Sequence, residues 1–468
     1  MVRNGHIRKA GRVGQGGPGR TWTVVLGTLV VLSLCVAIRP QATASSATST
    51  TEGRPSSCTV APALRETVEQ RVLPFWLRTV DPVHGGYIVP EPAGGPPIGT
   101  KQLVAQARLL WGFSHASRAG FGPDPAMYLD AARSGYRYLR AHQFDAVNGG
   151  YYWTTSASGQ PLDRRKILYG QAFVIYALVE YYRASGDPAA LADARQLFRV
   201  MATRARDRVH GGWIEHFEAD WRPILDHCYL HVETAGYKSA NTHLHVMEAL
   251  AELADVAPDP GLRAALAETL DLNTQRFFPS PAATVAAFTP DWRSPSRSWR
   301  PRPMREWLRT LARGPLVSYG HNVEFAWMAR RAEQVLGRPS DRAALDRFLV
   351  HTLERGVDLE QGGVYEFGYG DRPAHGLDKV WWQQAELLSA LSVALEDRPS
   401  ARYDVVRGQL LAWTTSHQSD SATGVWRERV RPDGRVAPGP LAHAWKLNYH
   451  DLRAVTTYLV GCGAVTLR

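Results

Sequence analysis

"DAVNGGYYW", residues 145–153, is the phrase on which the reading of the fold turns. It recurs as "DPVHGGY" from residue 81, "DRVHGGW" from 207, "DLEQGGVYE" from 358 and "DSATGVW" from 420. In each copy an Asp precedes a Gly by four residues, and an aromatic or aliphatic residue follows. The copies lie 64, 62, 151 and 62 residues apart, and the long interval leaves room for a degenerate copy near "DLNTQRFFP" at 271. Six units of one length imply one repeated architecture. Glycine pairs ahead of an aromatic residue supply positive φ in tight turns, so the phrase is read as scaffold rather than chemistry.

After the glycines come short polar-aromatic stretches broken by turns, such as "YYWTTSASGQPL" and "WIEHFEADWRPI", which suit small β-hairpins. Amphipathic helices follow: "KQLVAQARLLWGFSHASR", "GQAFVIYALVEYYRASGD", "NTHLHVMEALAELADV", "HNVEFAWMARRAEQVLG" and "VWWQQAELLSALSVALE". Several stop at Gly or Gly-Asp, as helices should. Six helix pairs with hairpins on one side predict an all-α fold, a closed (α/α)6 barrel with short β-hairpins at its cleft end. An open α-solenoid is the alternative.

The ends of the chain read differently. Residues 1–44 join a basic start (Arg3, Arg8, Lys9, Arg12, Arg20) to the apolar run "WTVVLGTLVVLSLCVAI" and an Ala-x-Ala site ending at Ala44. That order predicts an export signal, or an uncleaved N-terminal anchor, and a secreted, extracytoplasmic or membrane-anchored protein. Residues 45–57 are Ser/Thr-rich and read as a disordered spacer, leaving 58–468 as the barrel. The first 44 residues hold six Lys/Arg and no Asp/Glu, so 48 basic residues face 44 acidic ones beyond them. So even a balance gives no reason to propose a nucleic-acid partner. Beyond the signal stand Cys58, Cys228 and Cys462, with no C-x-x-C pairing to hold zinc. A Cys58–Cys462 disulfide follows if the two ends of the domain meet; three unrelated thiols are the other reading.

Several helices begin with residues that packing does not require. "KSANTHLHVMEA" places Asn241 and Thr242 as a cap, then His243 and His245 in the first turn and Glu248 beyond. "VSYGHNVEFAW" carries His321, Asn322 and Glu324; "DKVWWQQAELL" carries Trp381, Trp382 and Glu386. "AWKLNYHDLRAV" carries Trp445, His450 and Asp451, and Arg108 interrupts an apolar helix. In an α/α barrel the inner helix starts gather at one end of the cavity, where free N–H groups and partial positive charge also collect. Tryptophan faces stack on pyranose C–H surfaces, and Arg and Glu take hydroxyls, so such a cleft suits a sugar. His243 and His245 face about 200° apart on a helix, so they cannot share an ion, and H-E-x-x-H spacing is absent. No metal is expected. Proton transfer is the better reading, with His245 inward because Glu248 and Ala249 share its face.

At these residues the sequence resembles the N-acylglucosamine 2-epimerase family, and within it the cellobiose (mannobiose) 2-epimerase branch. The resemblance runs from about residue 62 to the end and rests on "ARLLWGFS", "NGGYYW", "GQAFVIYALVEYYRASGD", "DWRPI", "NTHLHVMEA", "SYGHNVEFAW", "KVWWQQAE" and "WKLNYHDLRA" taken in order. It implies an (α/α)6 barrel, no redox cofactor, no catalytic metal, and interconversion of sugars at C2 or of aldoses with ketoses. It assigns His321 and His450 as the acid/base pair, His245 as the group assisting ring opening, Arg108 near the reactive oxygens, and Trp382 and Trp445 as sugar-lining aromatics. Trp381, Glu248, Glu324, Glu386, Asn241 and His243 complete the expected substrate-binding set. The partner implied is a reducing sugar, bound by a monomer or homodimer.

The chemistry explains these residue types. The C2 proton of an open-chain aldose is acidic because the C1 carbonyl can become an enediolate. A neutral imidazole can take that proton, a cation can stabilise the oxyanion, and inversion needs a second imidazole on the other face. Protonation at C1 gives a ketose instead. Three departures from the family pattern stand out: Asn322 where an Asp is usual, Asp451 where an Asn is usual, and an Arg-rich segment at 298–315. The first two are read as exchanging which imidazole is the more basic. The third roofs the cleft toward an anionic sugar or is a solvated loop. A secreted glycoside hydrolase or lyase needs two flanking carboxylates, whereas this chain gathers histidines. A non-catalytic sugar-binding barrel has no need to keep all three.

Overall fold

In the computed structural model, which describes residues 56–89, 99–226, 229–230, 232–294, 314–339 and 341–468, the Asp–Gly phrases close one kind of loop. Asp145 Oδ1 accepts the N–H groups of Val147 and Asn148 at 3.0 and 3.1 Å, which bends the chain. Its Oδ2 accepts from Lys166 Nζ at 2.8 Å. Asp81 holds Lys101, Asp207 holds Lys238 and Asp358 holds Lys379 in the same way, at 2.7–2.8 Å. Gly150 sits at φ +72°, and a Cβ there would lie 2.6 Å from Trp221 Cζ2, so no larger residue fits.

The degenerate copy exists where the interval predicts it. Val285 N donates to Phe277 O at 2.8 Å, matching the bonds from Tyr152 to Gln143 and from Arg427 to Gln418. Pro279 stands where the loop Asp would be.

Thirteen helices among the described residues build two rings. The outer ring is α1 (Ala61–Thr67) continuing through a π turn into α2 (Leu73–Leu77), then α4 (Ala126–Tyr138), α6 (Pro188–Arg204), α8 (Pro260–Leu272), α10 (Arg342–Arg355) and α12 (Ala401–Trp413). The inner ring is α3 (Leu103–Arg118), α5 (Leu168–Ser185), α7 (Ala240–Val256), α9 (Tyr319–Leu336), α11 (Trp381–Asp397) and α13 (Tyr449–Gly461). Outer helices bury one face; α4 buries Tyr128, Ala131, Ala132, Gly135, Tyr136 and Tyr138. Inner helices are enclosed on every side, and α5 is buried without a break from Leu168 to Tyr181.

Each inner helix packs on the next, from α3 through α5, α7, α9, α11 and α13, and α13 returns to α3. The ring is closed, which excludes the open solenoid.

Short strands rim one end. The strands that enter the inner helices, β1 (Thr100–Gln102), β2 (Lys166–Ile167), β3 (Lys238–Ser239), β4 (Leu316–Ser318) and β5 (Lys379–Val380), each pair antiparallel with a strand of the following unit. Where the ring meets itself, Cys58 and Cys462 form a disulfide with Cα atoms 5.5 Å apart, so the paired reading of these cysteines holds. Ser56–Val60 forms a helical turn, which corrects the spacer boundary: Ser57 N donates to Asp404 Oδ2 at 3.3 Å, and Arg407 Nε donates to Ser57 Oγ at 2.9 Å. The expected export signal or anchor, Cys228 and nearly all of the Arg-rich segment lie outside the described residues.

Candidate active site

The loop lysines give a common register for the six inner helices. Lys101, Lys166, Lys238 and Lys379 are equivalent, with Val317 and Lys446 in the same place in the other two units. Five residues on stand Gln106, Gln171, His243, Asn322, Gln384 and Asp451. Gln106, Gln171 and Gln384 accept the loop N–H groups of Tyr87, Tyr151 and Val364 at 2.7–2.9 Å. His243 Nε2 accepts the Trp213 N–H at 3.2 Å, so its Nδ1 carries the hydrogen and donates to Ser239 O at 2.9 Å. His243, expected to bind substrate, is therefore a loop clamp. Asn322 likewise turns outward, accepting from Thr284 Oγ1 and donating to Pro281 O. The cap of α7 is also corrected: Ser239 Oγ accepts the Thr242 N–H at 3.1 Å, and Asn241 lies inside the first turn.

Three, four and seven residues past the register point, side chains share the opposite face. The seventh level reads Arg108, Phe173, His245, Glu324, Glu386 and Arg453, one from each inner helix. The fourth contributes His321 and His450; the third contributes Tyr169, Asn241, Trp382 and Tyr449.

Arg453 is the hub of this constellation, and sequence reasoning passes over it. Its Nη2 donates to Glu386 Oε1 at 2.6 Å and its Nη1 to Glu248 Oε1 at 2.5 Å. Glu386 Oε1 also receives His450 Nδ1 at 2.6 Å, and its Oε2 receives Trp327 Nε1 at 2.9 Å. Glu248 receives Tyr449 OH at 2.6 Å and His245 Nδ1 at 2.9 Å. Each carboxylate thus fixes one imidazole with its Nδ1 as donor, leaving Nε2 as the lone-pair nitrogen. Glu386 is the only carboxylate bonded to His450 among the described residues, so the expected influence of Asp451 on that imidazole is not what the structure has.

Burial sets the protonation states. It lowers His450 to about 3 although Glu386 opposes it. It lowers His321 to about 4, helped by the nearby His245 and opposed by Glu386. His245 is lowered by burial against the pull of Glu248. All three rings are neutral at pH 7. Glu324 is pushed well above the carboxylate range by burial and by Glu386, and it faces His245 Nε2 at 3.9 Å as a neutral acid. Burial also tends to raise Glu386, but Arg453, His450 and Trp327 together hold it low.

The walls are aromatic. The Trp382 ring centroid lies 4.8 Å from His321 and 5.9 Å from His450, so one indole adjoins both imidazoles. His321 Nδ1 is 2.9 Å from Ser318 Oγ, the cap of α9. Trp445 lies 6.2 Å from Trp153 and 6.3 Å from Tyr169. Arg108 stacks on Phe173 at 4.4 Å and donates to Trp445 O at 2.8 Å and Tyr169 OH at 2.9 Å. Trp381 is more buried than Trp382 and packs edge-on to His443 and His450, a backing residue rather than a wall. Asn241 reaches Glu233 at 3.4 Å on the hairpin above; burial, with Glu215 nearby, raises Glu233 to about 7.

Glu324, Glu386 and His450 offer ligand atoms within 4.8 Å of one another. The set does not favour a cation: Glu386 Oε1 already accepts from His450 and from the Arg453 guanidinium, its Oε2 accepts from Trp327, and Arg453 places a fixed positive charge beside them.

Fold and site together define a class, an (α/α)6 barrel with histidines and carboxylates gathered between aromatic side chains at one end of its inner helices. The chain belongs to the N-acylglucosamine 2-epimerase family, whose model, described as N-acylglucosamine 2-epimerase (GlcNAc 2-epimerase), matches residues 93–454. It is similar to cellobiose 2-epimerase of Bacteroides fragilis, 29% identical over 401 residues that cover 83% of this chain and 96% of that protein. The solved structure of cellobiose 2-epimerase from Spirochaeta thermophila superposes with a TM-score of 0.75 at 31% identity, covering 88% of this chain and 99% of that one. D-mannose isomerase of Pseudomonas cannabina is 24% identical over 362 residues, 74% of this chain and 82% of that protein. The protein is a sugar epimerase/isomerase.

Proposed function

We propose that this enzyme inverts C2 of a reducing sugar, with a β-linked disaccharide such as cellobiose as the first substrate to try. The observation that carries the reading is the pair His321 and His450, two neutral imidazoles from different inner helices, the first half-buried and the second buried, beside one Trp382 indole. One Nε2 removes the C2 proton, leaving an enediolate and an imidazolium; the second imidazole takes up a proton from solvent and delivers it to the other face, and the first releases its proton to solvent, giving the epimer. Glu386, bonded to His450 Nδ1, stabilises the imidazolium that forms. Arg108 supplies positive charge toward the enediolate oxygens. Ring opening needs a proton moved between O1 and O5, and the facing pair of His245 and neutral Glu324 supplies a base and an acid for it.

Aldose–ketose isomerisation is the second reading, favoured by the likeness to D-mannose isomerase. It uses the same enediolate with protonation at C1. Incubation with cellobiose, mannose and glucose in D₂O, followed by NMR, separates the outcomes. Deuterium at C2 with a new epimer supports epimerisation, deuterium at C1 of a ketose supports isomerisation, and no exchange on any reducing sugar rejects both. Residues 1–44 are further proposed to direct export, on their basic, apolar and Ala-x-Ala order. Extracytoplasmic protein beginning near Ser45 supports this, full-length protein held in the membrane supports the anchor, and full-length protein in the cytosol counts against both.

A further inference from the structure

The sixth unit departs from the others at its entry strand. In four units the register lysine ties down the Asp–Gly loop, but Asp420 binds Arg427 instead. Lys446 Nζ turns to Leu441 O at 2.7 Å. Its backbone closes a tight turn with His443, through His443 N to Lys446 O at 3.2 Å and Lys446 N to His443 O at 3.0 Å. Trp445, the cleft wall, stands on that turn.

His443 is placed to hold the turn in one shape. Its Nδ1 accepts the Trp445 backbone N–H at 3.3 Å, so the ring hydrogen is on Nε2, which donates to Glu428 Oε2 at 3.3 Å. Glu428 O in turn accepts the Trp381 N–H at 3.0 Å, the first residue of α11. On the other side, Trp445 O accepts from Arg108 Nη1 at 2.8 Å on α3. One continuous line therefore runs from the start of α11, through Glu428, His443 and Trp445, to Arg108. None of its hydrogen bonds involves His321 or His450.

We infer that His443, oriented by Glu428, is a positioning residue that sets the Trp445 wall for sugar binding. The inference rests on the epimerase/isomerase reading of the cleft for its kinetic form. A neutral imidazole suits the task because it offers one acceptor for the turn N–H and one donor for the carboxylate. Asparagine, whose short amide accepts a backbone N–H two residues on, can hold the turn without reaching Glu428.

The test is steady-state kinetics of His443→Phe, His443→Asn and Glu428→Ala on the sugar that the wild type converts. His443→Phe and Glu428→Ala should raise KM about tenfold while kcat changes less than about threefold, the pattern of lost binding without lost chemistry. His443→Asn should restore KM to within about twofold of wild type. An unchanged KM in the Phe or Glu428→Ala variant overturns the inference, as does an Asn variant as impaired as the Phe variant. If His443→Phe does not fold, the comparison of Glu428→Ala with His443→Asn decides. If the wild type exchanges no C2 hydrogen, the proposed function fails separately, and crystal structures decide the positioning role. Displacement of residues 443–446 in the Glu428→Ala variant then supports it, and an unmoved turn overturns it.

Discussion

Replacing Glu386 with Gln should slow proton transfer at C2 and weaken the fold by comparable amounts, and the structure sets the size of both effects. Glu386 is wholly buried and accepts three N–H groups: His450 and Arg453 on one oxygen at 2.6 Å, Trp327 on the other at 2.9 Å. A Gln amide satisfies one side only, and its NH₂ group must meet either Trp327 Nε1 or the Arg453–His450 pair. The lost charge-assisted bond to His450 is worth about 1.5–3 kcal/mol in the transition state, where the imidazolium forms. That corresponds to a fall of about 10- to 150-fold in rate. The sign is fixed, because Glu386 raises the basicity of His450 and its removal lowers it further. Folding stability should fall by about 3 kcal/mol, the low end for a broken buried pair, because Arg453 keeps Glu248. C2 exchange measured by NMR at a temperature where the variant is fully folded separates the two effects. A Glu386→Gln enzyme that melts earlier yet exchanges at the wild-type rate would refute the role given to this carboxylate.

Three further outcomes follow from the scaffold and the protonation states. Asp145→Ala leaves Lys166 buried without its carboxylate, so urea unfolding should show a loss of about 3–5 kcal/mol while exchange by the folded enzyme stays unchanged; a loss under about 1 kcal/mol contradicts the clamp. Removing the Cys58–Cys462 bond, which spans 404 residues of sequence, should cost about 2–5 kcal/mol and lower Tm by roughly 2–6 °C. An unchanged melt in Cys462→Ser would show that the disulfide does not secure the ring. Because burial depresses His321 and His450 to about 4 and 3, kcat/KM should stay level as pH falls from 7 and drop only as pH approaches about 4, when the imidazoles protonate. An acid limb centred near the ordinary imidazole value of about 6.5 would mean that the rings are not so protected.

The barrel is legible in the sequence because its turns require particular atoms. Gly150 can have no Cβ beside Trp221, and the loop Asp must accept two N–H groups and a lysine, so both residues recur at fixed spacing. The site is legible in part. His321, His450, Trp382, Trp445 and Arg108 stand out as polar or aromatic groups at apolar helix starts. His243 misleads because it is two residues from His245, yet that separation turns it to the loop and away from the axis. Arg453 escapes notice because an arginine one turn into a helix looks like any other. Only counting from the register lysine puts it level with Arg108, His245, Glu324 and Glu386, and the sequence alone allows that count. Asn322 and Asp451 suggest an influence on the imidazoles because they are their neighbours in sequence. Adjacent residues on a helix point about 100° apart, and the carboxylate that reaches His450 comes from α11.

The central claim is that two imidazoles act on C2 from two faces. Its direct test is the stereochemical fate of C2 in D₂O with His321→Ala and His450→Ala, measured by NMR on the sugar that the wild type converts. The account predicts that neither variant forms the epimer, and that the one retaining the base exchanges deuterium into C2 with configuration preserved. Epimer formation by both variants at near wild-type rates would contradict it.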